Sequence, residues 1–418
     1  MRVKKRFLLL PTTFGVAIAA TFFNTAGALT NTQVSGISGV QYSVSTSFNG
    51  RYIAFLSSAS TLVSGDTNNA VDAFVDDTST GTITRISVSS AGDQANAPTS
   101  KVILSGNGRY ALMTSQAGNL ASGGSYMAQN VYLRDLRLGQ TYLIAAGDDG
   151  SGLDQYAVAV SEDGRFAYYV NAYTHALYMY DRQLATTTRV DTDASGTPGN
   201  SGVGNTPDST SCDGRFVVFS SASSNLVSGD TNGKADVFLV DSMNGHAITD
   251  ITLGANNKSM LPVITCDGNF VLFYSLASNL VSGDTNSAMD LFEYDVANGT
   301  TQLVDLDPSG NQYGSLPSST GGLNPGGGQR LASMDGRYVV FTIDIDGSGP
   351  LGQTEFSGQV FLRDTKAGTT TALSPIGSNT FAGDDPAITY DGRTVYYTYQ
   401  TTYSQNLSMN VYSATSYL

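Results

Sequence analysis

The 418-residue sequence has no tryptophan, only two cysteines and only two histidines, and just 13% of its residues are charged. So few charges leave little material for amphipathic helices, which need a charged outer face. Glycine is abundant instead, at 46 residues, and tyrosine outnumbers phenylalanine, 23 to 18. This composition favours an all-β chain of short strands joined by tight turns.

Long hydrophobic runs are absent after the first thirty residues. Before that point, a basic start is followed by an apolar run at residues 7–23 and by the small residues Ala26 and Ala28. This order is typical of a secretory signal peptide, so we predict a leader at residues 1–28 that is cleaved after Ala28. A retained membrane anchor is the alternative, and Pro11 within the apolar run disfavours it.

Removal of the leader would leave one domain, residues 29–418, exported to the periplasm or the medium and without a membrane span. The leader carries four basic residues and no acid, so its loss lowers the formal net charge from −14 to −18. A surface this acidic repels phosphate backbones and anionic lipids. We therefore expect no nucleic-acid or membrane partner, and cations or basic partners are more compatible with the charge.

Two short patterns recur along the chain. One stretch is written three times with small changes, at residues 56–77, 220–241 and 274–295, and each copy contains Gly-Asp-Thr-Asn. The other pattern, Asp-Gly-Arg and its variants, occurs seven times before an apolar run, with successive glycines 50 to 68 residues apart. Its glycines are Gly50, Gly108, Gly164, Gly214, Gly268, Gly336 and Gly392.

The recurring unit reads as four strands. Asx-Gly between two apolar runs is a strong hairpin signal, and a later glycine marks the turn into a fourth strand. One such sheet cannot bury both of its faces alone, so the sheets must stack. We predict a seven-bladed β-propeller of four-stranded antiparallel blades, closed by pairing of residues 31–38 with residues 409–416 in the last blade. A linear, unclosed array is the alternative.

The units resemble the WD40-like propeller repeats of the TolB family. The stretches that carry the resemblance are SEDGRFAYY at 161–169, SCDGRFVVF at 211–219 and SMDGRYVVF at 333–341. The resemblance covers residues 31–418 and implies the fold, because such propellers act as scaffolds, docking platforms and enzyme lids alike. TolB itself has an additional N-terminal domain and six blades, so its own role does not transfer to this chain.

The Gly-Asp-Thr-Asn stretches, hereafter the GDTN loops, offer oxygen ligands at a constant spacing. These candidate Ca²⁺ ligands are Asp66, Asn68 and Asp72; Asp230, Asn232 and Asp236; and Asp284, Asn286 and Asp290. Carboxylate and amide oxygens in a tight turn suit Ca²⁺. The alternative is an Asx turn in which these side chains cap loop amides without an ion. The second unit has Gly124 and Tyr126 where the others have the aspartate and asparagine of Gly-Asp-Thr-Asn, so the loop can form without these ligands.

A second acidic stretch, DIDGSGPLGQTE, matches the spacing of a calcium-binding loop. Its candidate ligands are Asp344, Asp346, Ser348 and Glu355. The flanking residues read as strands rather than helices, so a chance match is the alternative. Ca²⁺ is the only cofactor that the sequence suggests.

The two cysteines, Cys212 and Cys266, occupy equivalent positions just before Asp-Gly in neighbouring units. In an exported chain this placement suggests a disulfide that joins two blades. The alternative is a pair of small buried residues. The geometry requires Cα atoms within about 7 Å of one another.

Catalytic motifs are missing. His175 and His246 have no partner at metal-ligand spacing, and no Gly-x-Ser-x-Gly elbow occurs. We therefore predict a monomeric, non-catalytic scaffold that binds a protein or a surface polysaccharide. The alternative is a secreted polysaccharide hydrolase or lyase with its site in the central channel. Convergent acids in that channel would favour the enzyme, and a plugged channel would favour the scaffold.

Overall fold

The computed structural model describes residues 16–23, 27–37, 45–148, 154–204, 210–312, 331–344, 358–373, 381–382, 386–400 and 410–417. All regular structure in these ranges is β, and no helix there is long and apolar enough to cross a membrane. The strands form six hydrogen-bonded sheets.

The strands follow the chain in order. The N-terminal strands are β1 (Val16–Phe23) and β2 (Gly27–Ile37). The first sheet holds β3 (Ser45–Thr46), β4 (Tyr52–Ser57), β5 (Asp72–Asp77) and β6 (Thr82–Arg85). The second holds β7 (Thr99–Leu104), β8 (Tyr110–Ser115), β9 (Asn130–Asp135) and β10 (Gln140–Ala145). The third holds β11 (Gln155–Val160), β12 (Phe166–Asn171), β13 (Leu177–Asp181) and β14 (Thr186–Arg189).

The remaining sheets follow the same plan. The fourth holds β15 (Phe216–Ser221), β16 (Asp236–Asp241) and β17 (Ala247–Asp250), with Thr210 bridged to Val217 beside them. The fifth holds β18 (Ser259–Ile264), β19 (Phe270–Ser275), β20 (Asp290–Asp295) and β21 (Thr300–Leu303). The last sheet combines β1 and β2 with β22 (Tyr338–Asp344), β23 (Gly358–Asp364), β24 (Thr369–Ala372), β25 (Phe381–Ala382), β26 (Ala387–Ile388), β27 (Thr394–Gln400) and β28 (Asn410–Tyr417).

The prediction of seven blades is therefore wrong, because the structure has six. The short strand β25 is the reason: Ala382 pairs with Gly358 of β23 and with Tyr399 of β27. These pairings fuse the last two sequence units into one nine-stranded sheet. The all-β propeller architecture and the antiparallel four-stranded blade are as predicted.

The N-terminal strand joins this last sheet. In β2, Thr32 pairs with Ser413 and Gln33 pairs with Tyr412, antiparallel to β28. These pairs fall inside the two segments that were predicted to close the ring. Strand β1, which lies within the predicted leader, pairs with β2 and also runs parallel to β28. Cleavage of the leader stays a prediction.

Apolar residues on the second and third strands of each unit build the core. The repeated Phe of the second strand lies directly opposite a Phe of the third strand, and the rings stack with centroids 5.5 to 5.7 Å apart. These pairs are Phe55–Phe74, Phe219–Phe238, Phe273–Phe292 and Phe341–Phe361. Cross-strand aromatic pairs of this kind stabilise a sheet beyond the burial of their area.

The Asx-Gly turns connect neighbouring units. Gly214 has a φ of +71°, and a Cβ atom placed on it would lie 2.6 Å from the side chain of Phe166 in the preceding unit. Glycine is needed there for both its conformation and its size. The same packing recurs with Tyr52 on Gly108, Tyr110 on Gly164, Phe216 on Gly268, Phe270 on Gly336 and Tyr338 on Gly392.

In five units the arginine that follows the turn glycine pairs with an acid at the end of the third strand of the same unit. Arg109, just before β8, and Asp135, at the end of β9, are 2.7 Å apart at their closest atoms. The other pairs are Arg51–Asp77, Arg165–Asp181, Arg215–Asp241 and Arg337–Asp364. These guanidinium groups also lie 4.5 to 4.9 Å from the centroid of the aromatic ring of the next residue. The arginines therefore hold the aromatic residues that reach the neighbouring unit.

Candidate cation site and central channel

The inner turns of the units meet at the axis of the ring and nearly fill it. They enclose a cavity of about 30 Å³, which is room for a single water molecule. Its lining includes Phe48, Gly106, Glu162, Cys212, Cys266, Met334 and Tyr390. Glu162 is the only carboxylate among the described residues that line it, and no histidine or arginine joins it there. The described residues thus leave little free space at the axis and bring no convergent acids to it.

Backbone hydrogen bonds run around this axis from one unit to the next. The N–H of Tyr390 donates to the carbonyl of Phe48 at 2.9 Å, which joins the last sequence unit to the first. Equivalent bonds run from Phe48 to Gly106, from Glu162 to Cys212, from Cys212 to Cys266 and from Met334 to Tyr390. Between the second and third units, the Nδ2 of Asn107 donates to the carbonyl of Glu162.

Cys212 and Cys266 are joined by a disulfide at this ring of turns, and their Cα atoms are 4.6 Å apart. The Cys212 N–H also donates to the Cys266 carbonyl at 2.9 Å. The bond therefore fastens the inner edges of the fourth and fifth sheets at the axis.

The first GDTN loop contains its own positive charge. The Nη1 of Arg85 lies 3.3 Å from Asp66 Oδ1 and 3.9 Å from Asp72 Oδ2. Asn68 uses its Nδ2 to donate to Asp72, at 2.9 Å, and its Oδ1 to accept from the N–H of Ala70. Ser87 donates to the other oxygen of Asp72. This arrangement is an Asx turn closed by an ion pair.

In the second GDTN loop, Asp230 and Asp236 lie beside a third acid, Asp250 of β17, and not beside an arginine. One oxygen each of Asp230, Asp236 and Asp250 lies within 4.8 Å of the others, and no ion pair among the described residues reaches them. Thr252 Oγ1 contacts both Asp236 and Asp250, at 3.0 and 3.1 Å. Asn232 directs its Nδ2 at Asp236, and its Oδ1 accepts from the N–H of Lys234.

The third GDTN loop balances its acids differently. Asn286 donates to Asp290 Oδ1 at 2.7 Å, and the N–H of Leu291 donates to Asp305 Oδ1 at 3.1 Å, whereas the Oδ2 atoms of both acids are buried without a partner. Asp284 accepts from the Nε2 of Gln312 at 3.3 Å. Each of the three carboxylates thus has a hydrogen-bond partner.

Burial and mutual repulsion perturb the acids of the second and third loops. Burial, with smaller contributions from the charges of Asp236 and Asp230, raises the pKa of Asp250 to about 7. Burial also raises the pKa of Asp236. In the third loop, burial and the neighbouring Asp290 raise the pKa of Asp305 above its ordinary value.

Asp250 and Asp305 were not predicted from the sequence. Both lie at or just after the fourth strand of their units, where each resembles any other strand or turn residue. Their position in the unit could have indicated them, because the antiparallel pairing of the third and fourth strands brings the end of the fourth strand beside the GDTN loop. Of the second acidic stretch, Asp346, Ser348 and Glu355 lie outside the described residues. The backbone of Asp344 ends β22.

Neither histidine lies in a catalytic constellation among the described residues. His175 lines a surface pocket of about 400 Å³ together with Lys101 and Tyr156. His246 lies in the turn before β17. Both have positive φ, at +51° and +56°.

No protein-family model matches this chain, and no curated protein matches it. Many solved structures do match. An oligogalacturonate lyase in complex with manganese is 13% identical, with a TM-score of 0.56, and the match covers 96% of each chain. The β-propeller domain of the trilobed protease from Pyrococcus furiosus is 11% identical, with a TM-score of 0.52, and the match covers 90% of this chain and 92% of that one.

TolB proteins are also among the matches. TolB from Acinetobacter baumannii is 16% identical, with a TM-score of 0.40, and the match covers 82% of this chain and 75% of that one. At such identities a likeness shows the fold alone. The fold conclusion rests on the sheets themselves and on matches with a TM-score above 0.5, such as the lyase and the propeller domain of the trilobed protease. This chain is a β-propeller, and its structural neighbours include TolB.

Proposed function

We propose that this protein is an exported, non-catalytic propeller that acts as a docking scaffold for a protein or a surface polymer. The observation that supports it most is the plugged axis, where the inner turns leave about 30 Å³ and one carboxylate. A polysaccharide cannot enter so small a space. The partner must therefore bind on a face or at the rim of the ring.

The loops between the second and third strands offer a surface for such a partner. In stacked units these loops lie on one face of the ring, which we call the loop face. Its members in the second and third sheets lack the acids and expose Tyr126, Met127 and Tyr173, at 56%, 57% and 73%. Met127 also has a φ of +64°, a conformation that non-glycine residues adopt only under constraint.

Aromatic and methionine side chains are enriched where proteins and sugars bind. The chain as a whole has a formal net charge of −14, so this apolar area lies on an acidic molecule. We infer that the partner offers apolar or sugar-ring surface together with basic groups.

Affinity capture with the purified protein as bait, from the cells that produce it, tests this proposal. A triple variant of Tyr126, Met127 and Tyr173 to serine should lose the captured partner. A matched variant of Leu184 and Met243 to serine, whose side chains are 64% and 53% exposed in turns at the opposite end of the sheets, should keep it. Equal capture by both variants would contradict the proposed surface, and thermal unfolding of each shows that the fold is intact.

A polysaccharide hydrolase or lyase acting in the channel remains the alternative, and the match to an oligogalacturonate lyase favours it over other enzymes. Incubation with oligogalacturonate, with and without Mn²⁺, would release unsaturated products if this chain were such a lyase. We expect no product, because Glu162 has no described basic or acidic partner in the axis.

A further inference from the structure

Arg85 of the first sheet and Asp250 of the fourth sheet occupy the same position. In each sheet this residue is the one that pairs with the stacked Phe of the third strand, Phe74 or Phe238. The GDTN acids correspond as well, because Asp66 and Asp230 each precede by six residues the acid that begins the third strand. The two sites can therefore be compared residue by residue.

The first site contains a built-in cation and the second does not. In the first sheet the Arg85 guanidinium lies beside Asp66 and Asp72, at 3.3 and 3.9 Å. In the fourth sheet both equivalent acids are kept, but the position of the arginine is taken by a third acid. Asp250 is only 9% exposed and its Oδ2 has no hydrogen-bond partner.

Asp230 provides a second and independent observation. It is 8% exposed, and neither of its carboxylate oxygens has a hydrogen-bond partner. The equivalent Asp66 has Arg85, and the equivalent Asp284 has the Nε2 of Gln312. Buried carboxylate oxygens are nearly always hydrogen-bonded or bound to a cation.

The lost partner of Asp230 has a cause in the sequence. In the first and fifth sheets, a loop after the fourth strand brings Gln94 or Gln312 back to the GDTN loop. In the fourth sheet this loop is five residues shorter, and Gly254 precedes the alanine that accepts from the GDTN asparagine. No side-chain amide is therefore available at Asp230.

We propose that Asp230, Asp236 and Asp250 bind one Ca²⁺ ion, which takes the place that Arg85 fills in the first sheet. The donors are all carboxylate oxygens, which excludes metals that prefer nitrogen or sulfur. Ca²⁺ accepts irregular sets of oxygen ligands in loops, whereas Mg²⁺ demands near-octahedral geometry and keeps most of its water. This site is independent of the docking surface, and either proposal can fail alone.

A proton shared among Asp230, Asp236 and Asp250 explains the fourth-sheet site less well than a bound cation does. In the fifth sheet the pair Asp290 and Asp305 leaves one oxygen of each acid unpartnered, which one shared proton could serve, and Asp284 has the Nε2 of Gln312. In the fourth sheet a proton on Asp250 can be donated to one oxygen only, so at least one of the two unpartnered oxygens of Asp230 would still have no donor. A cation beside all three carboxylates satisfies Asp230 as well.

Calorimetric titration of the EDTA-treated full chain with CaCl2, alongside MgCl2 and MnCl2, tests the proposal. We expect one Ca²⁺ per chain and a rise in the melting temperature. The Asp230→Asn variant should bind Ca²⁺ at least tenfold more weakly. The matched variant Asp284→Asn, in the equivalent loop of the fifth sheet, should bind as the wild type does.

The Asp250→Arg variant provides the sharper readout, because it copies the arrangement of the first sheet. It should bind no Ca²⁺, and its melting temperature without metal should exceed that of the metal-free wild type. Absence of Ca²⁺ binding by the wild type, preference for Mg²⁺ or Mn²⁺, or equal loss in the Asp284→Asn variant would each overturn the proposal. If the Asp250→Arg variant does not fold, the Asp230→Asn and Asp284→Asn pair decides.

Discussion

The Asx-Gly turns and the GDTN loops are both repeated in sequence, but only the turns repeat their contacts. At the turns, a serine or threonine hydroxyl bonds the Asx carboxylate or amide in every unit, as Ser211 does with Asp213 at 2.6 Å. At the loops, the group that faces the shared acids changes from Arg85 to Asp250 to Asp305. A repeated motif whose partners also repeat is structural, whereas one whose partners diverge can take on separate chemistry.

The largest effect should come from a turn glycine. The Gly214→Ala substitution places a methyl group against Phe166 at a φ of +71°, so packing and backbone strain both oppose folding. We expect a loss of about 3–5 kcal/mol in the free energy of unfolding, measured by urea denaturation. Gly245→Ala is the control, because it shares the positive φ but has open space around it. Equal losses in the two would contradict the packing between units.

Removal of the axial disulfide should have the next largest effect. A double substitution of Cys212 and Cys266 by serine frees a loop of 54 residues in the unfolded chain. We expect the free energy of unfolding to fall by about 2–4 kcal/mol, and the variant to be insensitive to reductant. An equal response of wild type and variant to dithiothreitol in the same denaturation series would show that the bond does not stabilise the ring.

Glu293 breaks the repeat inside a sheet and should make stability depend on pH. Val75 and Leu239 hold the equivalent place, whereas burial raises the pKa of Glu293 to about 7 from its ordinary 4.5. The folded state holds this proton more tightly, so its contribution is fully present below pH 4.5 and is lost as the pH rises through about 7. We expect a decline on the order of 2–3 kcal/mol over this interval.

The Glu293→Leu variant, which restores the residue type of the other sheets, should lack most of this decline and should be more stable than the wild type at pH 8. Thermal unfolding at a series of pH values measures both quantities. A variant with the same pH profile as the wild type would assign the dependence to other acids.

The smallest effect should follow from repairing the one incomplete turn in the fifth sheet. Asn269 stands where five other units have an arginine that pairs with a strand acid and covers an aromatic ring. The Asn269→Arg substitution supplies a partner for Asp295 beside Phe270. Because such pairs are exposed, we expect a gain of only about 0.5 kcal/mol in urea denaturation. A loss of stability would show that the turns are not interchangeable.

The sequence predicted the strands of each unit, the hairpin turns and the propeller because these depend on local patterns repeated many times. The count of six sheets depends on β25, a two-residue strand without any periodicity to read. The role of Asn232 depends on which end of its amide faces Asp236. Asp250 reaches the site only through the pairing of β17 with β16, and the amino-acid composition does not indicate which strands pair. What repeats locally could thus be predicted, as could the pairing of the two terminal segments, whereas the pairings of β25 and the position of Asp250 could not.

The hydrogen bond from Tyr390 to Phe48 has a consequence for how the molecule comes apart. In an open stack of repeats, the outermost members have one neighbour fewer and fray first. Here the turn of the last sequence unit touches that of the first, so each of these two has neighbours on both sides at the axis. We expect melting to occur as a single calorimetric transition rather than as peeling from one end.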